Sequence, residues 1–140
     1  MSRELVNEMK TFAMQQKVPG IEADQVADFC FYLGDLNYRL DTTFPELNNN
    51  NIQDAIGHIS SIDQLMYAKS YGYFPGYVEQ PIDFLPTYKM STDKTHYVNK
   101  KDQAPSYCDR VMFKSNMPSD WSADFYKCAH DMHGSDHRPV

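Results

Sequence analysis

Cysteine is scarce in this chain: Cys30, Cys108 and Cys128 are an odd number with no close-spaced pair. That pattern argues against a disulfide framework and for free thiols in a reducing compartment, so a cytoplasmic location is expected. Long hydrophobic runs are missing too. Nothing approaches the roughly 18 apolar residues of a membrane-spanning helix, and the start Ser2-Arg3-Glu4-Leu5-Val6-Asn7-Glu8 is too polar for a signal-peptide core. Any membrane contact would be peripheral. Positive charge is in deficit, with 13 Lys and Arg against 19 Asp and Glu and a formal net charge of -6. No overall basic field exists to hold a nucleic-acid backbone, so an anionic ligand would need a local cluster of cations. No internal repeat, linker or charge block divides the chain.

What is present is the material of one core: 41% of the 140 residues are hydrophobic and 23% charged, as in a globular domain or part of one. Leu5, Met9, Phe12 and Ala13 recur at helical spacing behind Ser2 and ahead of Pro19-Gly20, which predicts a helix over Ser2 to Lys17. Asp28 to Leu33 reads as a buried strand feeding the Gly34 turn. The Asn48 to Asn51 patch is expected to be a surface loop, followed by an amphipathic stretch carrying Ile52, Ala55, Ile56 and Ile59. Ser61-Ile62-Asp63-Gln64 matches a capping box for a further helix. Beyond Gly72 the chain is aromatic and broken by Pro75, Pro81 and Pro86. Tyr107 to Lys114 and Phe125 to His130 suggest two more strands. Helices alternating with strands indicate a layered fold of both element types.

Gly34-Asp35-Leu36-Asn37 sets a carboxylate and a carboxamide two residues apart beyond a strand, where both can face one side of a cleft. Such an Asp could orient or deprotonate water, and such an Asn could hold a phosphoryl oxygen; an ordinary turn is the plainer alternative. Ser135-Asp136-His137-Arg138 gathers an anion, an imidazole and a cation, suited to phosphate or metal chemistry or simply to a solvated loop. Cys108-Asp109-Arg110 adds a third cluster, in which an Asp at His Nδ1 would fix the tautomer. Cys128, His130, His133 and His137 fit none of the closed zinc spacings. Lys89, Lys100, Lys101, Arg39 and Arg110 are the cations available to a phosphorylated ligand.

The order of these segments carries more than any one of them. Phe31 to Leu40, with Gly34-Asp35-Leu36-Asn37-Tyr38-Arg39 at its centre, resembles the hallmark strand and loop of inositol-polyphosphate 5-phosphatases. Asp63-Gln64-Leu65, Phe74 to Glu79 and Ile82 to Lys89 then resemble the middle of that domain, and Pro105 to Val111 and Ser135 to Val140 its end. The resemblance implies an α+β fold of the endonuclease/exonuclease/phosphatase type, a two-sheet β-sandwich flanked by helices, of which this chain would form the C-terminal half. The half that supplies a metal-binding Glu, an Asn near the scissile phosphate and a further His has no counterpart in these residues.

By the same resemblance Asp35 would position or activate the attacking water, Asn37 would hold water or phosphate, and His137, oriented by Asp109, would donate to phosphoryl oxygens. Asp136 would lie at the metal, expected to be Mg²⁺. Tyr88, Lys89 and Lys101 would grip a neighbouring 4-phosphate, with Tyr38, Arg39 and Arg110 completing the substrate-binding set. Tyr107 replaces a Trp usual in the family, and Gln103 stands where many members carry Arg, which weakens the expected preference for 4,5-bisphosphates. The implied activity is Mg²⁺-dependent removal of the 5-phosphate from phosphoinositides or soluble inositol phosphates. The alternatives are a catalytically incomplete fragment or phosphoinositide-binding module without turnover and, against the acidic charge, a nuclease of the same superfamily.

Overall fold

A computed structural model describes residues 23–92, 96–117 and 123–140. The helix expected over Ser2 to Lys17 lies outside them. A short helix α1 (Ala23–Val26) precedes strand β1 (Phe29–Asp35); helices α2 (Asp54–Ile62) and α3 (Gln64–Ser70) follow, then β2 (Val78–Glu79) and β3 (Asp109–Ser115). The strands form one antiparallel sheet in the order β1-β3-β2.

Directly opposite residues share a face. Tyr32 pairs with Met112 and Gly34 with Arg110 on one face; Phe31 with Phe113, Leu33 with Val111 and Asp35 with Asp109 on the other. The first face is packed. Tyr32 and Met112 meet Leu65 of α3 and the aromatic rings of Phe74 and Tyr77, with Tyr32 and Phe74 centroids 5.0 Å apart. Met112 is 0% exposed, so Met112→Ala should cost about 2–5 kcal/mol in urea unfolding, the sum of lost transfer energy and an unfilled cavity.

The second face corrects the expectation of a strand buried on both sides: Phe31 and Leu33 are each 63% exposed. An unbroken apolar run shows that a strand is apolar on two faces and leaves open whether both are covered. A second core joins α2 to the loops, where Leu40, Leu47, Ile52, Ala55, Phe84, Met90, Tyr97, Ala104 and Tyr107 cluster.

Two local expectations are overturned. Ser61 lies inside α2, its hydroxyl donating to the His58 carbonyl, and the cap of α3 is Asp63, whose Oδ1 accepts from the Leu65 amide at 2.7 Å. Asp63 is held there by the buried Arg110 guanidinium, 2.8 Å away, so tertiary pairing decides where one helix stops and the next begins. Phe125 to His130 forms no strand. Past the two residues of β2, the amide of Val111 donates to the Tyr126 hydroxyl at 3.1 Å. A side chain thus serves the edge that a further strand would have paired.

Candidate active site

The outer face of the sheet ends in two carboxylates. Asp35 and Asp109 are direct cross-strand partners, a like-charge pairing that costs roughly 0.2–1 kcal/mol relative to neutral neighbours. His137 stands between them. Its Nδ1 is 3.0 and 3.1 Å from the two Asp109 oxygens, and its Nε2 is 3.8 Å from Asp35 Oδ2. A carboxylate only accepts hydrogen bonds, so Nδ1 carries the proton that faces Asp109. Asp109 is itself anchored, taking a 2.6 Å hydrogen bond from the Thr87 hydroxyl at Oδ2.

The loop after β1 folds onto this cluster. Gly34, at φ 124°, turns the strand out of regular geometry. Asn37 has φ 58°, a left-handed conformation that Asn tolerates, and its amide donates to Asp35 Oδ1 at 2.9 Å. Arg39 forks onto Asn37 Oδ1 through Nε and Nη2 at 3.1 and 2.6 Å. With that oxygen occupied, the Asn37 NH₂ is the group left to meet a ligand. The Arg39 guanidinium lies 4.4 Å over the Tyr88 ring, and Tyr88 stacks on His137 at 4.4 Å between centroids. Arg39, Tyr88 and His137 thus form one stacked column beside the carboxylates. Tyr38 turns the other way, its ring 6.4 Å from Phe74.

The remaining expected residues sit differently. Asp136, expected at a metal, is held by the Lys89 ammonium, which keeps its carboxyl below the usual range and raises the Lys89 ammonium in turn. Its carboxylate is not in the group of converging ligand atoms; that group is Asp35, Asp109 and His137. Arg110 corrects the expectation most clearly. Its side chain is 1% exposed and bonded to Asp63 and Glu79 on the opposite face of the sheet from Asp109, so it cannot reach a ligand at the cluster. Arg138 is buried as well, clamping the carbonyls of Ser135 and Ser91. Lys101 lies on an exposed turn at φ 59°. Cys128, His130 and His133 do not converge with His137: among the described residues only Asp35, Asp109 and His137 form a group close enough for an ion.

Thr87 falls within the Ile82 to Lys89 segment, but motif alone gives it no role, because that role depends on a tertiary contact with Asp109, 22 residues on. A cavity of about 340 Å³ lined by Ile59, Asp63, Met66, Glu79 and Arg110 lies on the far face of the sheet and does not include the cluster.

The donor set suits a hard divalent cation. Two carboxylates and an imidazole offer atoms within 4.8 Å of one another, and such ions are commonly held by one or two carboxylates with water and substrate phosphate. Asp35 is the better-placed ligand, because Asp109 already serves Thr87 and His137.

Comparison with known proteins gives the same frame. The model of Endonuclease/Exonuclease/phosphatase family 2 matches residues 2–140. Nitrophorin Cim l NP of Cimex lectularius is 30% identical over all of this chain and 46% of its own length. Phosphatidylinositol 3,4,5-trisphosphate 5-phosphatase 2A of Danio rerio is 33% identical over 79% of this chain and 9% of its own length. Among solved structures, the ferrous NO complex of Cimex nitrophorin superposes with a TM-score of 0.71 at 30% identity, covering 82% of this chain and 40% of that one. The inositol polyphosphate 5-phosphatase domain of SPsynaptojanin, in complex with inositol (1,4)-bisphosphate and calcium ion, gives 0.66 at 27% identity over 86% and 35%. The chain therefore spans less than half the length of each of these proteins. From its ordered motifs, its sheet-end cluster and these matches, the chain belongs to endonuclease/exonuclease/phosphatase family 2, with inositol-polyphosphate 5-phosphatases among its relatives.

Proposed function

We propose that this chain carries the catalytic cluster of a Mg²⁺-dependent phosphatase that removes the 5-phosphate from phosphoinositides or soluble inositol phosphates. The observation that carries the reading is the cross-strand pair Asp35–Asp109 with His137 set between the two carboxylates. A sheet has no structural use for like charges placed directly opposite, whereas hydrolysis of a phosphomonoester uses them.

Asp35 orients the attacking water and accepts its proton. The Asn37 NH₂ holds a phosphoryl oxygen, since Arg39 occupies the other end of the carboxamide. His137 donates through Nδ1 to Asp109 and turns Nε2 toward the phosphoryl group, to which it donates when that nitrogen carries a proton. Mg²⁺, for which Asp35 is the better-placed ligand, would neutralise charge developing on the transferred group. Tyr88 presents its ring and hydroxyl beside the cluster. Lys89 reaches a neighbouring phosphate by exchanging it for Asp136, and Lys101 meets the ligand from its exposed turn. Asp136, once released from Lys89, would be free to meet the metal or its water. The three cysteines are free, which supports a protein that works in the reducing cytoplasm; no described helix is long and apolar enough to cross a membrane.

Family membership alone does not decide for hydrolysis, because one relative is named as a nitrophorin and was solved with ferrous iron and NO. The test is phosphate release with Mg²⁺ from vesicles carrying a 4,5-bisphosphorylated inositol lipid and from the soluble inositol phosphate, beside single-stranded DNA. Release from the inositol phosphates and none from DNA is expected. Binding to the vesicles without release, by folded protein, would replace the enzyme with a binding module.

A further inference from the structure

The Asp109–His137 pair is held in place by a residue outside the group of converging ligand atoms. Thr87 is 0% exposed. Its hydroxyl donates to Asp109 Oδ2 at 2.6 Å, and its carbonyl accepts the Arg138 amide at 2.9 Å. One buried residue thus grips the carboxylate through its side chain and the segment bearing His137 through its backbone. The next residue, Tyr88, exchanges backbone hydrogen bonds with Ser106, at 3.1 and 2.6 Å, and stacks on the His137 ring. Thr87 therefore sits on a framework fixed from both sides.

We propose that Thr87 is a positioning residue for the reaction, acting through Asp109 to hold the His137 ring in the orientation that turns Nε2 toward the phosphoryl group. The inference rests on the phosphatase reading for its kinetic consequence and on the geometry alone for its structural one. Asp109 has two oxygens and a freely rotating carboxylate. With Nδ1 almost equidistant from both oxygens, the imidazole alone does not choose a carboxylate rotamer. The Thr87 hydroxyl does, because it can donate to only one of them. Such partners, one step removed from the reacting atoms, are typically worth about 10–100-fold in activity or metal affinity when deleted.

The experiment compares Thr87→Val, which removes the hydroxyl at nearly constant volume, with Thr87→Ser, which keeps it. With the 4,5-bisphosphorylated inositol lipid and Mg²⁺, Thr87→Val should lower kcat about 10–100-fold with KM nearly unchanged, and Thr87→Ser should recover most of the rate. The ring nitrogens of His137, read by NMR on the ¹⁵N-labelled chain at a pH where the imidazole is neutral, give a second readout independent of turnover. The Nδ1-protonated tautomer should dominate in the wild type and in Thr87→Ser, and should become mixed in Thr87→Val. If Thr87→Val does not fold, the wild type still decides, because the Thr87 hydroxyl proton should exchange slowly enough with water to be observed. A Thr87→Val protein with wild-type kcat and tautomer, or a fast-exchanging hydroxyl in the wild type, would overturn the proposal. A tautomer shift in a chain that releases no phosphate would keep it and remove the phosphatase reading instead.

Discussion

Asp35→Asn should lower phosphate release by at least about 10²-fold and, in the absence of divalent cations, raise the stability of the fold by roughly 0.2–1 kcal/mol. The two effects have one origin. Asp35 faces Asp109 directly across the β1–β3 ladder, and two carboxylates so placed repel. Asn is close to isosteric and its side-chain oxygen can still accept the Asn37 amide that Asp35 Oδ1 now receives at 2.9 Å, so the loop that follows should survive. What is lost is a charge and a base. A residue kept for packing would show the opposite pattern, with stability and activity falling together. Urea unfolding in EDTA beside the Mg²⁺-dependent rate separates them, and a variant that loses stability while keeping its rate would argue that Asp35 is structural.

The second large effect lies on the other face of the same sheet. Arg110→Met should cost about 3–5 kcal/mol, because it leaves buried carboxylates without their cation. Arg110 Nη1 is 2.8 Å from Asp63 Oδ2, and its Nε and Nη2 meet the two oxygens of Glu79 at 2.8 Å each. The Tyr126 hydroxyl donates to Glu79 as well. This network ties the cap of α3, strand β2 and the Tyr126 segment to β3. Burial raises the Asp63 carboxyl above its ordinary value, with the Arg110 guanidinium pulling the other way. Removing that pull raises it further. A carboxyl whose folded-state pKa lies above its unfolded value gives its full stability below the unfolded pKa and loses it as pH rises through the folded one. The deficit of Arg110→Met against wild type should therefore be larger at pH 8 than at pH 5. Melting temperatures at the two values check it, and an equal deficit at both would show that the carboxylates are not strained by the loss.

These two arginine-rich and acid-rich neighbourhoods also show how far the sequence could be read. Gly34 to Arg39 and Ser135 to Val140 were legible as chemistry because their residue types are specific and their order matches a family. Strands β1 and β3 and helix α2 were legible from periodicity, to within two residues at most ends. Alternation along β3 could also have shown that Asp109 and Arg110 face opposite ways, so at most one of them can serve a site on one face. The rest required tertiary register. Asp35 meets Asp109 across 74 positions of sequence, Lys89 meets Asp136 across 47, and no local pattern encodes either pairing. The misplaced cap has the same cause: Ser61 and Asp63 are both good capping residues, and the choice between them is made by Arg110.

The half-exposed face of β1 bears on function as well as fold. Phe31 and Leu33 lie on the side of the sheet that ends in Asp35, so whatever covers this face would also wall the cluster. The SPsynaptojanin domain that superposes on this chain is covered by it over 35% of its length. The cluster gathers the Asp35 and Asp109 carboxylates and the His137 imidazole at one end of that face.

The most direct test of the account is which phosphate leaves. Phosphorus NMR of inositol 1,4,5-trisphosphate incubated with the folded chain and Mg²⁺ should show the 5-phosphate resonance alone declining as inorganic phosphate grows, and no change when His137 is replaced by Ala. An unaltered spectrum from folded wild-type chain, or loss of the 1- or 4-phosphate first, would contradict it.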